Sequence, residues 1–111
     1  SIYDVPRTHS PLTLIMSTLH TIARSPYSDL LSSCLQVLNR KDAILFIEDG
    51  VFYSLQPDRL AQVPDSCKLF ALREDLIARG LQDKRQAAVE SVSTRTFVDL
   101  CCRYDKVVNW F

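Results

Sequence analysis

Four cysteines, two histidines and the adjacent carboxylates Glu48 and Asp49 are the residues of this 111-residue chain whose types and placement could support chemistry. The cysteines are Cys34, Cys67, Cys101 and Cys102. Their number is even, but apart from the vicinal last pair they lie far apart, unlike the dense framework of a small disulfide-stapled fold. Neighbouring cysteines within a helix are also badly placed to bond each other. No Cys-x-x-Cys occurs, and neither histidine has a cysteine at zinc-ligand spacing, so no metal site is expected. Each thiol is then a reduced nucleophile or a packing group. A nucleophile needs access and a lowered pKa, whereas a cysteine on an apolar helix face packs as a small hydrophobe. Cys34 stands four residues after Leu30 and four before Leu38, which keeps both readings open. Cys67 and Cys101 fall among apolar neighbours and read as packing, while Cys102 points to another side of its helix.

His20 precedes the loop into the first helix. It could tune a thiol or bind a partner's backbone, or simply be a hydrogen-bonded structural residue. His9 carries no assignment. Glu48 and Asp49 point to opposite faces at a strand end, so they suit a turn and a helix N-terminus better than paired acid–base catalysis. No glycine-rich phosphate loop is present, so no nucleotide cofactor is implied, and no other cofactor is expected. Arg73, Arg79, Lys84 and Arg85 are interleaved with Glu74, Asp75 and Asp83 and read as a solvated face. Thirteen basic residues balance thirteen acidic ones, which disfavours nucleic-acid binding as the main task. The 47% hydrophobic content disfavours disorder. No apolar run approaches the roughly 18 residues of a membrane span, and the opening residues lack a signal-peptide core. These features, with reduced thiols, lead to the expectation of a cytoplasmic protein.

The elements that must position these residues follow from periodicity. Residues 1–15 hold two of the five prolines and no clear period. They are read as a non-native or read-through extension, with a functional N-terminal arm as the alternative, and residues 16–111 as one domain. Thr18–Ile22 predicts a strand. Ser25-Pro26 predicts a helix start, and the apolar spacing from Tyr27 to Asn39 a helix with one buried face. Ala43–Ile47 is apolar throughout, as in a strand covered on both sides, and Gly50 permits a sharp turn behind it. A helical turn over 51–55 and a loop with a short helix near Leu60 follow. A strand at 67–72, a helix at 73–81 closed by Gly80, a strand at 89–94, a helix at 95–104 capped by Thr94 and a strand at 106–111 complete the chain. The alternation predicts an α/β fold: a doubly wound, mostly parallel sheet of about five strands with helices on both faces. Its sites are expected at the strands' carboxyl ends. Trp110 and Phe111 are apolar for their position and predict an interface anchor, with Phe52 and Tyr53 as further interface candidates.

Met16–Pro26 (MSTLHTIARSP), Ile44–Val51 (ILFIEDGV), Leu69–Leu81 (LFALREDLIARGL) and the closing FVDLCCRYDKVVNWF together resemble the TusB/DsrH family of small sulfur-relay subunits. The resemblance covers the chain from about Met16 to Phe111. It implies the DsrE-like, flavodoxin-like fold and a dimer of heterotrimers with two paralogous subunits, one TusC/DsrF-like and one TusD/DsrE-like. In the Tus branch such a complex takes persulfide sulfur from a carrier resembling TusA and passes it to one resembling TusE/DsrC, towards 2-thiolation of the tRNA wobble uridine. In the Dsr branch it serves sulfur oxidation. The chief sulfur-carrying cysteine of the family belongs to another subunit. Cys34 occupies the place of a first-helix cysteine found in some DsrH-like members, which makes it the candidate sulfur-carrying thiol here, and His20 matches the family's Leu-His-Thr opening. The expected role is a supporting subunit without turnover of its own. The alternatives are a DsrH-like subunit carrying persulfide on Cys34 and a stand-alone flavodoxin-like binding domain.

Overall fold

A computed structural model describes residues 16–111. The expectation for residues 1–15, and His9 with it, lies outside the described residues. Five strands, β1 (Thr18–Ile22), β2 (Ala43–Phe46), β3 (Lys68–Leu72), β4 (Val89–Val92) and β5 (Lys106–Trp110), form one parallel sheet in the order β4-β3-β2-β1-β5. The chain steps outward from β1 to β4 and then returns to add β5 on the other side of β1. The apolar runs account for the centre: β1 and β2 are buried along their whole length. A parallel strand covered on both faces has no reason to alternate.

The helices divide between the faces. On one face, α1 (Leu30–Leu35), a 3-10 helix (Glu48–Leu55), α2 (Pro57–Leu60) and α3 (Arg73–Ala78) cover the larger core, which includes Ile22, Ile44, Phe46, Leu69 and Leu76. On the other, α4 (Thr94–Arg103) lays Phe97, Leu100 and Cys101 over Leu19, Leu45, Phe70 and Val92. The predicted architecture is thus present, with helices on both faces.

Three local predictions need correction. The helix over 27–39 shrinks to Leu30–Leu35, because Asp29 adopts a left-handed φ of 54° that separates the Pro26–Ser28 turn from α1. Its far end unwinds where the Asn39 N–H is drawn to the Asp42 carboxylate, 3.0 Å away. The cap of α4 is Ser93 rather than Thr94: its hydroxyl accepts the Thr96 N–H at 3.1 Å, the usual N-cap bond. Gly50 serves its turn by close approach. A Cβ there would sit 1.9 Å from the Ile22 carbonyl oxygen. Gly80 does close α3 with a left-handed φ of 69°, and the Leu81 N–H reaches back to the Leu76 carbonyl at 2.8 Å, as in a Schellman end.

Candidate functional site

Polar side chains inside a sheet core must find partners. The buried ones among the described residues are Thr18, His20, Thr21, Asp42 and Ser54, and two of them form a directed line with Trp110. Asp42 ends the turn before β2. Its Oδ1 accepts the Thr18 N–H at 2.9 Å, and its Oδ2 accepts the Asn39 N–H at 3.0 Å. The same Oδ2 lies 2.9 Å from Nε2 of His20. Across the imidazole, Nε1–H of Trp110 donates to Nδ1 at 3.1 Å. An indole can only donate, so Nδ1 holds the lone pair and the ring proton sits on Nε2, directed at Asp42. The bonding network therefore assigns one tautomer.

The sequence places each partner. His20 and Trp110 project from the same face of neighbouring strands, since β1 and β5 pair with Ile22 opposite Trp110, and side chains two residues apart share a face. A cleft of about 170 Å³ lies beside the line, walled also by Met16, Val37, Asn39 and Lys106. Thr18, Asp42 and Lys106 mark it as opening at the amino ends of β1 and β5. A larger cavity of about 660 Å³ sits near the amino ends of β3 and β4, against Cys67, Lys68 and Ala88. The concavities therefore depart from the expected carboxyl-end location. At the carboxyl end of the sheet Arg79 bridges Asp49 at 3.0 Å and Asp75 at 3.8 Å. Glu48 and Asp49 occupy the first turn of the 3-10 helix, where acids suit the helix dipole.

Both ring nitrogens of His20 are engaged in hydrogen bonds. His20 positions: one imidazole ties β1, the turn before β2 and the edge strand β5. Among the described residues, no group of three or more His, Cys, Asp or Glu side chains comes together in a way that could hold a metal.

The thiols are placed as follows. Cys34 is wholly buried, in the core that contains Leu31 and Phe46. Burial, then the Asp42 charge, then Cys67 push its thiol from the ordinary 9.0 up to about 12. Of the two readings open for Cys34, its placement in this chain on its own is that of a packing residue, whereas a carrier thiol needs access and ready ionisation. Cys67 is also buried and donates to the Asn39 carbonyl at 3.2 Å. Burial raises its pKa, partly offset by the Ser66 hydroxyl. Cys101 is half-buried and raised by burial, whereas Cys102 is exposed.

A pH dependence follows for Cys34. Its folded pKa lies above the unfolded one, so the stabilisation is fully present below about pH 9 and is lost progressively as pH rises from 9 to about 12. Cys34→Ala should flatten that part of the alkaline loss. Cys34→Ser should destabilise by about 1–3 kcal/mol, because a hydroxyl enters an apolar site. Urea denaturation at neutral and alkaline pH reads both. Labelling of native Cys34 by a bulky maleimide as fast as Cys102 would contradict the core placement.

The interface candidates separate. Phe111 is 84% exposed and Phe52 is 36% exposed, and Trp110 is half-buried. Tyr53 is corrected: it is wholly buried, stacked on Phe46 at 5.3 Å, with its hydroxyl accepting the Leu31 N–H at 3.4 Å. The 3-10 winding turns Tyr53 inward and leaves Phe52 outside.

The family model described as "DsrH like protein" matches residues 24–107. The chain belongs to the DsrH-like family. It is 35% identical over 94 residues to Protein TusB of Photorhabdus laumondii, covering 83% of this chain and 99% of that protein. It is 33% identical over the same length and shares to Protein TusB of Yersinia enterocolitica. The ychN protein from E. coli superposes with a TM-score of 0.74 at 14% identity, over 86% of this chain and all of that one. Protein Tm0979 from Thermotoga maritima gives 0.59 at 21% identity, over 75% and 88%. Both show the fold that this DsrH-like chain shares. The residue that sequence reasoning missed in it is Asp42, which ends the polar segment Arg40-Lys41-Asp42 between the predicted helix and strand. The available signal was its place directly before a strand apolar on both faces, where no solvent can serve a carboxylate.

Proposed function

We propose that this chain is a supporting subunit of a sulfur-relay complex that moves persulfide sulfur towards 2-thiolation of the tRNA wobble uridine. The observation that carries the reading is the match to Protein TusB along nearly the whole length of that protein. In such a relay the acceptor thiolate attacks the terminal sulfur of a donor persulfide. The donor's S–S bond breaks as a new one forms, the donor departs as a thiolate, and no net oxidant is needed. The wholly buried Cys34, with its pKa near 12, supports assigning the transferring cysteine to a paralogous partner and an architectural role to this chain. Phe111 and the exposed edge strand β5, with Val107 36% exposed, offer surface for such a partner. No helix among the described residues is long and apolar enough to cross a membrane, and a cytoplasmic relay is part of the proposal.

The test is co-expression with the two paralogous subunits and native mass spectrometry of the product. A dimer of heterotrimers is the expected result, and loss of Trp110 and Phe111 should weaken it. A lone monomer in the presence of both paralogues would defeat the proposal. Sulfane sulfur found on Cys34 after incubation with a persulfide donor would favour the alternative in which this chain carries sulfur itself.

A further inference from the structure

The Asp42–His20–Trp110 line leaves one chemical capacity unused, the second proton that an imidazole can take. Nε2–H is committed to Asp42 at 2.9 Å and Nδ1 to the indole N–H at 3.1 Å. A second proton has only Nδ1 to occupy. It would set one N–H against another, because the indole nitrogen cannot accept. The second proton and the Trp110 bond therefore exclude each other. We infer that His20 is a proton-operated latch: protonation at Nδ1 releases the Trp110 side chain and loosens the carboxyl end of the edge strand β5.

The surroundings allow the ring to charge without losing its other partner. From the turn before β2, the Asp42 carboxylate faces Nε2 and can pair the imidazolium. From β5, Lys106 stands on the cleft wall as the one opposing cation among the lining residues. Cys34 on α1, Cys67 before β3 and Tyr104 after α4 all sense the Asp42 charge, and burial raises each pKa further above neutral pH, so each is protonated there. They add no charge that competes for the imidazole.

The mechanical side rests on the position of β5. Among the described residues it has a strand on one side only, β1. Its other side-chain ties to β1 include the Thr21 hydroxyl, which donates to Asn109 Oδ1. Trp110 is its last residue, and the 84% exposed Phe111 follows. Releasing the indole therefore changes how Trp110 and Phe111 are presented at the surface. The inference stands without the relay proposal, since its readouts need no partner.

Trp110 is the single tryptophan of the chain, and a His9→Gln background leaves His20 as the single histidine. The full chain in that background is titrated from about pH 8 to about pH 5, where an imidazole changes charge. Tryptophan emission and the NMR signals of the indole N–H and the His20 ring are followed. All three should move with one shared one-proton midpoint, and His20→Gln should leave emission and the indole signal flat. Trp110→Phe should raise the His20 ring midpoint by roughly half to one unit, the proton-affinity equivalent of one neutral hydrogen bond. An indole signal unmoved through the His20 titration would overturn the latch. So would the same emission transition in His20→Gln, or a His20 ring that stays neutral until the fold is lost. Should His20→Gln fail to fold, the shared midpoint and the Trp110→Phe shift decide the question.

Discussion

Gly50→Ala should unfold this protein or leave it with little stability. The added methyl would meet the Ile22 carbonyl oxygen at 1.9 Å and its carbon at 2.8 Å. Both atoms are backbone, at the end of a strand buried on both faces, so no side chain can swing aside. Two hydrogen bonds fix the approach: the Ile47 N–H donates to that same Ile22 carbonyl at 3.0 Å, and the Gly50 N–H donates to Ala23 at 3.2 Å. Relieving the clash means separating the turn from β1 and breaking both. Overpacking in a core that can adjust costs about 1–3 kcal/mol, and a rigid backbone contact should exceed that, at about 3 kcal/mol or more. Each kcal/mol lowers Tm by roughly 4–8 °C at this size. A thermal melt in which Gly50→Ala stays within a few degrees of the parent protein would show that the turn can move away. Gly80→Ala is the natural control. It has open space around it but a left-handed φ of 69°, so its cost is conformational strain alone, about 1 kcal/mol.

The second large effect is expected for Asp42→Ala. The carboxylate accepts the Thr18 and Asn39 N–H groups and the His20 Nε2–H, and its side chain is 1% exposed. Removing it strands three donors, two of them on the buried residues Thr18 and His20, with an expected loss of about 3–5 kcal/mol. Asp42→Asn should recover little of this. The amide oxygen can replace only one carboxylate oxygen: turned to Thr18, it leaves the amide donors facing Asn39 and His20, and turned to His20, it leaves them facing the Thr18 N–H. Reversing the imidazole tautomer to accept them would place Nδ1–H against the Trp110 indole, so the network has a direction set at its Trp110 end. Chemical denaturation of both variants checks the pair. Near-parental stability of Asp42→Asn would mean that the line is not directed as assigned. The distinctive readout is the indole N–H signal of Trp110, which should change in both variants although residue 42 does not touch the indole.

Much of the architecture was legible in the chain. The β-strand run at 43–47 is apolar throughout, and that at 67–72 is interrupted only by Lys68 at its start, a pattern that suits a sheet covered on both sides. The helix face of Phe97, Leu100, Cys101 and Tyr104 was readable from spacing, and it does pack as one stripe. Boundaries were less readable where a distant partner set them. Asn39 leaves the helical pattern because Asp42 holds its N–H, a contact that helical periodicity cannot register. Tyr53 and Phe52 carry the same kind of signal in sequence. Only the 3-10 winding of Glu48–Leu55 sends Tyr53 inward.

The sequence by itself determined the fold class, the order of its elements and the family, because hydrophobic period, caps and short motifs are local properties that a chain carries before it folds. Tertiary structure alone decided which chemistry-bearing residues meet. His20, Asp42 and Trp110 are separated by as many as 90 positions, and parallel pairing of β1 with β5 brings them onto one line. The fate of the thiols was decided at the same level. A cysteine four residues from a leucine can be a nucleophile or a core residue, and the difference lies in whether other elements close over it. They close over Cys34, and that burial, with the Asp42 charge beside it, holds its proton in place.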